Sequence, residues 1–525
     1  MIPLYSTTQV READKYAINQ LSIPSIALME NASRSIYSIF QSTFPELTNE
    51  NEIAILCGKG NNGGDGFALA RHFINDGYPV RVVLVGRPTE LSGDAKTNYD
   101  ILKKLAHKVG PLELITFQNI RDINKIKYCS VIFDALLGTG AKGELKEPYK
   151  KIVDRVNKFI GIRVSIDSPT GLDLDKGSGD VVFDADLTVT LAELKTGLFY
   201  NAGYKYSGEV KKGYIGIGTE YFEKLPVSEY LIEPEDAFLG IPLKQIDSHK
   251  YSSGKVLTIA GSGKLPGAAS LTANSVLYGG AGASILAFPT SIKGVAQSLL
   301  ESAIVDPYED GGDEFLKVSN VKELQELVDW ADVIAIGPGL GRDAETQKAV
   351  VDILKHSGKK NFVIDADGMF ALRNNKYKNL NFNNTIFTPH HGEFASLLGI
   401  SSAELKKDIL SFGKKFVKDT GSYLVLKGAP TIVFTPNGEA LINTTGNSGM
   451  ASFGTGDVLC GLIASFVAQS GENENSVLSA VYIHSLAADL LLESMTEHGI
   501  TANSLMKNIP KAIKFIDDSI TKNYL

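Results

Sequence analysis

Cysteine is scarce. Cys57, Cys129 and Cys460 are odd in number, far apart and without CxxC spacing, which argues against a disulfide framework or a thiolate zinc site. Basic residues are not in excess: 52 Lys and Arg against 60 Asp and Glu give a net charge of −8. That balance supplies no overall field for nucleic acid or an anionic membrane, so neither is expected as a partner. The first twenty residues lack an apolar core of signal-peptide length, and the expectation is a protein of a reducing cytoplasm. Only one uncharged run, 267–289, reaches membrane-spanning length. It is built from Gly, Ala, Ser and Thr with Asn274 inside, and reads as a small-residue helix, a glycine turn and a strand over 284–288. No internal repeat and no low-complexity tract is present.

What remains is ordinary globular material: 43% hydrophobic and 21% charged over 525 residues, enough for two to four domains. Short apolar runs alternate with segments long enough for helices. In the first half these are 52–56, 80–85, 131–133, 163–166 and 187–191; in the second, 255–260, 284–288, 332–336, 362–364, 384–387 and 423–426. Such alternation predicts an α/β protein with two three-layer α/β/α domains, each a mostly parallel sheet covered by helices on both faces. The charged, proline-containing run 219–242 reads as a linker, with the boundary near 225: domains 1–224 and 225–525.

In such sheets ligands gather where strands end, and the strand ends here are polar or glycine-rich. The first half offers Cys57 through Gly66 (CGKGNNGGDG), Asp134 through Glu144 (DALLGTGAKGE) and Asp167 through Asp173 (DSPTGLD). The first loop fits neither GxGxxG nor the Walker pattern, so its Asn and Asp side chains point to a polar ligand or a hard cation. The second half offers GPGLG at 337–341, DADG at 365–368, TPHHGE at 388–393 and KGAPT at 427–431. Adjacent His390 and His391 would face opposite sides of a strand and lack companion ligands, which disfavours a metal pair; a substrate hydrogen bond from His390 fits better.

The chain is organised around 446–461, GNSGMASFGTGDVLCG. Glycines before an apolar helix let successive N–H groups face one anion, and the helix adds its own free N–H groups and positive dipole end. Asp457 at the lip of that cradle is placed to accept a proton from a hydroxyl attacking a phosphoryl group. Taken alone, the stretch is equally readable as a capped helix start.

Together these motifs resemble the bifunctional NAD(P)H-hydrate repair enzyme family. The first half is similar to the YjeF N-terminal domain, a Rossmann-like NAD(P)H-hydrate epimerase, through MEN at 29–31, NNGGDG, DALLGTG and DSPTGLD. The second is similar to the ribokinase-like ADP/ATP-dependent NAD(P)H-hydrate dehydratase, through GPGLG, DADG, TPHHGE, KGAPT and GTGD. The resemblance implies that Asn61, Asn62, Gly63, Gly64 and Asp65, with Gly138, Thr139, Gly140, Ala141, Lys142, Gly143 and Glu144, contact the hydrated nucleotide. It implies that Asn62, Asp134 and Thr170 hold a potassium ion and that Asp167 is the catalytic acid contacting substrate. In the second half it places the adenine nucleotide on Lys427, Gly428, Ala429, Pro430, Thr431, Gly454, Thr455 and Gly456. The hydrate then lies near Ala268, Gly339, His390 and the catalytic Asp457. Implied cofactors are K⁺, Mg²⁺ and ADP or ATP; implied substrates are NADHX and NADPHX, in a homo-oligomer. Ser168, Thr170, Ser452, Phe453 and His391 depart from the usual motif. Two readings compete: a ribokinase-like small-molecule kinase, which would leave a stable phosphorylated product, and a non-catalytic nucleotide-binding protein, which the intact Asp167 and Asp457 disfavour.

Overall fold

The computed structural model describes residues 1–108, 111–140 and 143–523. Two compact units are present: Pro3–Glu229, and Tyr230 onward together with Met1–Ile2.

The first unit opens with helices α1 (Thr7–Asn19) and α2 (Ser25–Thr43). Ser6 caps α1, in a reciprocal box with Gln9 whose arms are 2.9 and 3.3 Å long. Seven strands follow: β1 Ile53–Cys57, β2 Val80–Leu84, β3 Leu112–Thr116, β4 Val131–Ala135, β5 Ile162–Ile166, β6 Leu187–Leu191 and β7 Glu209–Gly213. They form one parallel sheet in the order β3-β2-β1-β4-β5-β6-β7. The chain reverses direction across the sheet between β1 and β4, which opens a crevice at their carboxyl ends. Strands β1 and β4 are buried at every residue, as strands covered on both faces must be.

One expectation changes here. Asn61 through Gly66 do not form a loop: they are the first turns of helix α3 (Asn61–Asn75), with Gly60 as cap. Three glycines in the first two helical turns cost intrinsic propensity. Packing explains them, because a Cβ at Gly63 would sit 1.9 Å from the Gly58 carbonyl oxygen. The run 219–242 is likewise not a bare linker, since it holds a 3₁₀ turn at Thr219–Lys224, strand β8 (Glu229–Leu231) and a short helix at Pro234–Leu239.

In the second unit, β9 (Lys255–Ile259), β10 (Ala283–Pro289), β11 (Ile304–Tyr308), β12 (Val333–Ile336), β13 (Asn361–Ile364), β14 (Thr385–Phe387) and β15 (Tyr423–Leu426) run parallel. Strands β16 (Thr431–Phe434) and β17 (Ala440–Asn443) then turn antiparallel. The sheet order is Ile2–Pro3, β8-β17-β16-β15-β14-β13-β12-β9-β10-β11. Residues 427–430 are therefore a tight turn between antiparallel partners rather than an open loop.

Helix α4 (Pro266–Tyr278) and β10 resolve the uncharged run as expected, with the glycine turn between them. Helices α5 (His391–Leu398), α6 (Thr455–Ser470) and α7 (Glu474–Leu491) complete the elements that matter for the site. Buried side chains occur all round α6 and α7, which lie inside a large apolar cluster of this unit. Such sheathing fixes the start of α6 in place. Among the described residues no helix is long and apolar enough to cross a membrane.

Candidate active sites

In the first unit a cavity of about 740 Å³ opens over the carboxyl ends of β1, β4 and β5. Asn61, Asn62, Asp65, Gly138, Thr139, Gly140 and Asp167 all line it, so three separate sequence motifs converge. Gly63 and Gly64 pack closely instead, Gly63 against the Gly58 carbonyl and Gly64 against Met29, whose Cε would lie 2.6 Å from a Cβ added there. Gly143 and Glu144 are exposed outside the lining, and Ala141 and Lys142 lie outside the described residues.

Asp167 follows β5 with φ at +67°, a left-handed conformation that costs a non-glycine residue energy and turns its side chain into the cavity. Its Oδ1 accepts from Lys195 Nζ at 2.8 Å and from the Leu191 N–H at 3.3 Å, and its Oδ2 from the Thr139 N–H at 3.3 Å. Lys195 is fully buried and donates also to Thr190 Oγ1 and the Leu191 carbonyl, both at 2.8 Å. A buried ammonium held by several acceptors fixes the position and orientation of the carboxylate.

Two other carboxyls share the cavity under opposite conditions. Burial, reinforced by Asp167 and Asp14, pushes Asp65 well above the carboxylate range. Burial and then Asp167 push Asp14 up to about 6, against the pull of Lys195.

Asp134 and Thr170 lie beneath, fully buried and bonded to each other. Asp134 Oδ2 accepts the Thr170 N–H at 2.7 Å, and Oδ1 accepts the Thr170 hydroxyl at 2.8 Å and the Leu136 N–H at 3.1 Å. Burial raises the Asp134 carboxyl to about 6 against those bonds. Asn62 is buried with both amide atoms lacking a partner. An orphaned amide oxygen at such depth calls for a ligand, and beside a carboxylate and a hydroxyl it suits a weakly hydrated hard cation. Among the described residues no group of three or more His, Cys, Asp or Glu is arranged to hold a metal ion.

In the second unit Gly454, at φ +93°, starts α6, and Asp457 stands in its first turn. The Thr455 hydroxyl turns back to the Met450 and Ser452 carbonyls, each at 3.0 Å, which leaves the first-turn N–H groups as the cradle. His484 on α7 secures that turn. Its Nε2 lies 2.9 Å from the Thr455 carbonyl, so that nitrogen carries the proton, and burial holds the ring neutral with a pKa of about 4.

Lys427 Nζ bonds Asp365 Oδ1 at 2.7 Å. Burial opposes the Lys427 charge, but Asp365 and Glu393 outweigh it and raise its pKa. A Cβ at Gly456 would lie 3.0 Å from that ammonium, so the glycine admits Lys427 to the base of the cradle. Burial, then Asp365, lift Asp457 to about 7, with Lys427 pulling the other way and Asp367 and Glu393 adding to the rise.

Gly339 and Ala268 adjoin one another, a Cβ at Gly339 falling 3.0 Å from Ala268 Cβ. Asp367 ties the GPGLG loop down through the Gly341 N–H and Arg342 Nε, both at 2.9 Å. His390 caps α5, its Nδ1 accepting from the Gly392 N–H at 3.0 Å. Nε2 of this exposed ring lies 3.5 Å from Glu393 Oε1. The KGAPT turn joins the same edge, Lys427 N–H donating to the Pro389 carbonyl at 2.8 Å.

Lys195, Asp14 and His484 were not legible as site residues. A lone lysine in AELKTG carries no motif, and its burial depends on four acceptors brought together by the fold. Asp14 gave one available signal: it borders the buried stripe Val10, Ala13, Ala17 of an amphipathic helix.

Comparison with known proteins follows the same division. Residues 25–197 match the family model described as YjeF-related protein N-terminus, and residues 256–511 match NAD(P)H-hydrate dehydratase. Over 520 residues the chain is 32% identical to the bifunctional NAD(P)H-hydrate repair enzyme of Moorella thermoacetica, covering 98% of each. It is 34% identical over 489 residues to that of Archaeoglobus fulgidus, covering 93% of each. The crystal structure of the ADP/ATP-dependent NAD(P)H-hydrate dehydratase from Bacillus subtilis, co-crystallised with ATP and Mg²⁺, is 27% identical; the match covers 55% of this chain and 98% of that one, with a TM-score of 0.47. With both domains matched in order and nearly the whole length covered, the chain belongs to the bifunctional NAD(P)H-hydrate repair enzyme family.

Proposed function

We propose that the first domain interconverts the R and S hydrates of NADH and NADPH, and that the second dehydrates the S form at the expense of ADP or ATP. The observation that carries the dehydratase half is Asp457: a carboxyl near neutrality at a helix N-terminus, beside the Lys427–Asp365 pair.

A base working at neutral pH needs such a pKa. Asp457 takes the proton of the C6 hydroxyl, and the oxygen attacks the terminal phosphoryl group while the first-turn N–H groups of α6 face its charge. The nitrogen lone pair then expels phosphate, and loss of a C5 proton restores the dihydronicotinamide. Lys427 through Thr431 and Gly454 through Gly456 hold the nucleotide; Ala268, Gly339 and His390 hold the hydrate.

In the epimerase half Asp167 contacts the reacting centre, Asn61, Asp65 and Gly138–Gly140 bind the nucleotide, and Asn62, Asp134 and Thr170 would hold K⁺. That ion supplies a fixed positive charge beside the substrate. Mg²⁺ enters the second domain with the nucleotide phosphates, a mode that needs few protein ligands. Three buried, unpaired cysteines support a reducing, cytoplasmic setting, and the assembly is taken as homo-oligomeric.

The test is absorbance at the dihydronicotinamide band when the full chain meets mixed R and S NADHX with Mg²⁺, K⁺ and either ADP or ATP. Full recovery of NADH with one nucleotide is expected. Recovery that halts near half refutes the epimerase assignment, and a stable phosphorylated product refutes the dehydratase in favour of a kinase.

A further inference from the structure

Helix α1, outside the segment matched by the family model, is bolted to the epimerase site at three places. Tyr5 pairs with the backbone on either side of Lys195, its N–H donating to the Leu194 carbonyl at 2.9 Å and its carbonyl accepting the Thr196 N–H at 3.1 Å. The Thr7 N–H donates to Asp175 Oδ1 at 2.9 Å, in the loop beyond Asp167. Arg11 donates to the Thr139 carbonyl of the cavity wall. One turn on from Arg11, on the same face, Asp14 lines the cavity. Among the described residues no donor reaches its carboxyl, whereas Asp167 receives three.

We propose that Asp14 is a second catalytic residue of the epimerase, carrying the proton that Asp167 lacks, so that the two carboxyls alternate as acid and base. This rests on the epimerase reading above. For one epimer, the Asp14 proton passes to the C6 hydroxyl oxygen and the C6–O bond breaks, its electron pair leaving with water. The N1 lone pair forms the N1=C6 bond. Water adds to the other face of C6, the π pair returns to N1, and the surplus proton of the added water goes to Asp167. The net change is inversion at C6 and one proton moved from Asp14 to Asp167. That end state is the one the opposite epimer requires, with Asp167 now the acid, so no outside reductant or oxidant enters.

The environments divide the labour. Asp167 accepts from Lys195 and two N–H groups, as a proton acceptor does; Asp14 has none of these donors and burial favours its neutral form. Asp65, buried deeper and pushed higher, holds its proton too firmly to cycle it. The charged and titratable groups around Asp14 in this cavity are Arg11, Lys59, Asp65, Asp94, Tyr149 and Asp167, with Lys195 behind Asp167.

The experiment follows R-to-S conversion of purified NADHX epimers by chromatography, without nucleotide, on the full chain and on Asp14→Asn and Asp14→Glu. Asp14→Asn is expected to slow conversion roughly 100-fold or more, with dehydration of S-NADHX, assayed separately, within twofold. The unaltered protein should lose epimerase rate as pH rises through about 6, because the acid must be protonated, and this limb should vanish in Asp14→Asn. Asp14→Glu should restore part of the rate with a displaced limb. The inference falls if Asp14→Asn stays within threefold of the unaltered protein. It falls too if the rate drops while the pH profile is unchanged, or if Asp14→Glu, should the Asn variant not fold, keeps the original limb. An unaltered protein that converts nothing overturns the epimerase reading itself.

Discussion

Each domain sets a lysine–aspartate pair beside its site, at nearly equal separation: Lys195–Asp167 at 2.8 Å and Lys427–Asp365 at 2.7 Å. Their consequences are opposite. In the first domain the lysine grips the carboxylate that itself lines the cavity. In the second it grips a neighbour, and Asp457, at the start of α6, is left under the charge of Asp365 with burial and that charge lifting its pKa to about 7. The same kind of ion pair thus orients a cavity carboxylate in one place and, by engaging a neighbour, tunes a base in the other.

Removing each candidate group should separate the two halves. Asp457→Asn should lower dehydration by more than about 1,000-fold while epimerisation stays within twofold, an expectation scaled on loss of an essential base. Equal loss of both activities would collapse the distinction. Lys195→Met strips the counter-ion from a buried carboxylate, so epimerisation should fall roughly 100-fold and the unfolding free energy by about 3–5 kcal/mol in denaturant titration.

A subtler variant sharpens the contrast by pH. Since Asp457 acts ionised, dehydration kcat/KM should rise as pH climbs through about 7. Asp365→Asn removes the charge that opposes Asp457 ionisation and frees Lys427 to favour it, so the rise should move to lower pH; an unmoved limb would mean that Asp365 does not tune the base. The smallest effect belongs to His484→Phe, which leaves the Thr455 carbonyl without its donor. A loss of about 1–3 kcal/mol in stability is expected, with dehydration alone weakened and epimerisation unchanged.

Much of this architecture was legible because fully covered parallel strands are plain apolar runs between glycine and polar loops. The strands that escaped notice are instructive. Leu112–Thr116 carries Glu113, Ile304–Tyr308 carries Asp306 and Pro307, and both are sheet edges, where charge and proline blunt the apolar signal. Thr431–Phe434 was hidden because KGAPT drew attention to a ligand and away from the strand it begins. At the sites, motif residues such as Asn62, Asp167 and Asp457 could be named from short-range pattern. Lys195 and His484 could not, since each earns its place only through partners distant in the chain: Asp167 for the lysine, the Thr455 carbonyl for the histidine.

The start of α3 holds a further lesson. NNGGDG looks like a single signature, yet it interleaves two vocabularies. Gly63, Gly64 and Gly66 are spelled by clearance, each with a neighbour less than 3 Å from any added Cβ, while Asn62 and Asp65 are spelled by what they offer a ligand. Drift at the first set is policed by whether the chain can close up, and at the second by whether a closed chain still turns over substrate. A relative that keeps the glycines but exchanges Asn62 and Asp65 would therefore retain this domain's shape while having been released from its reaction.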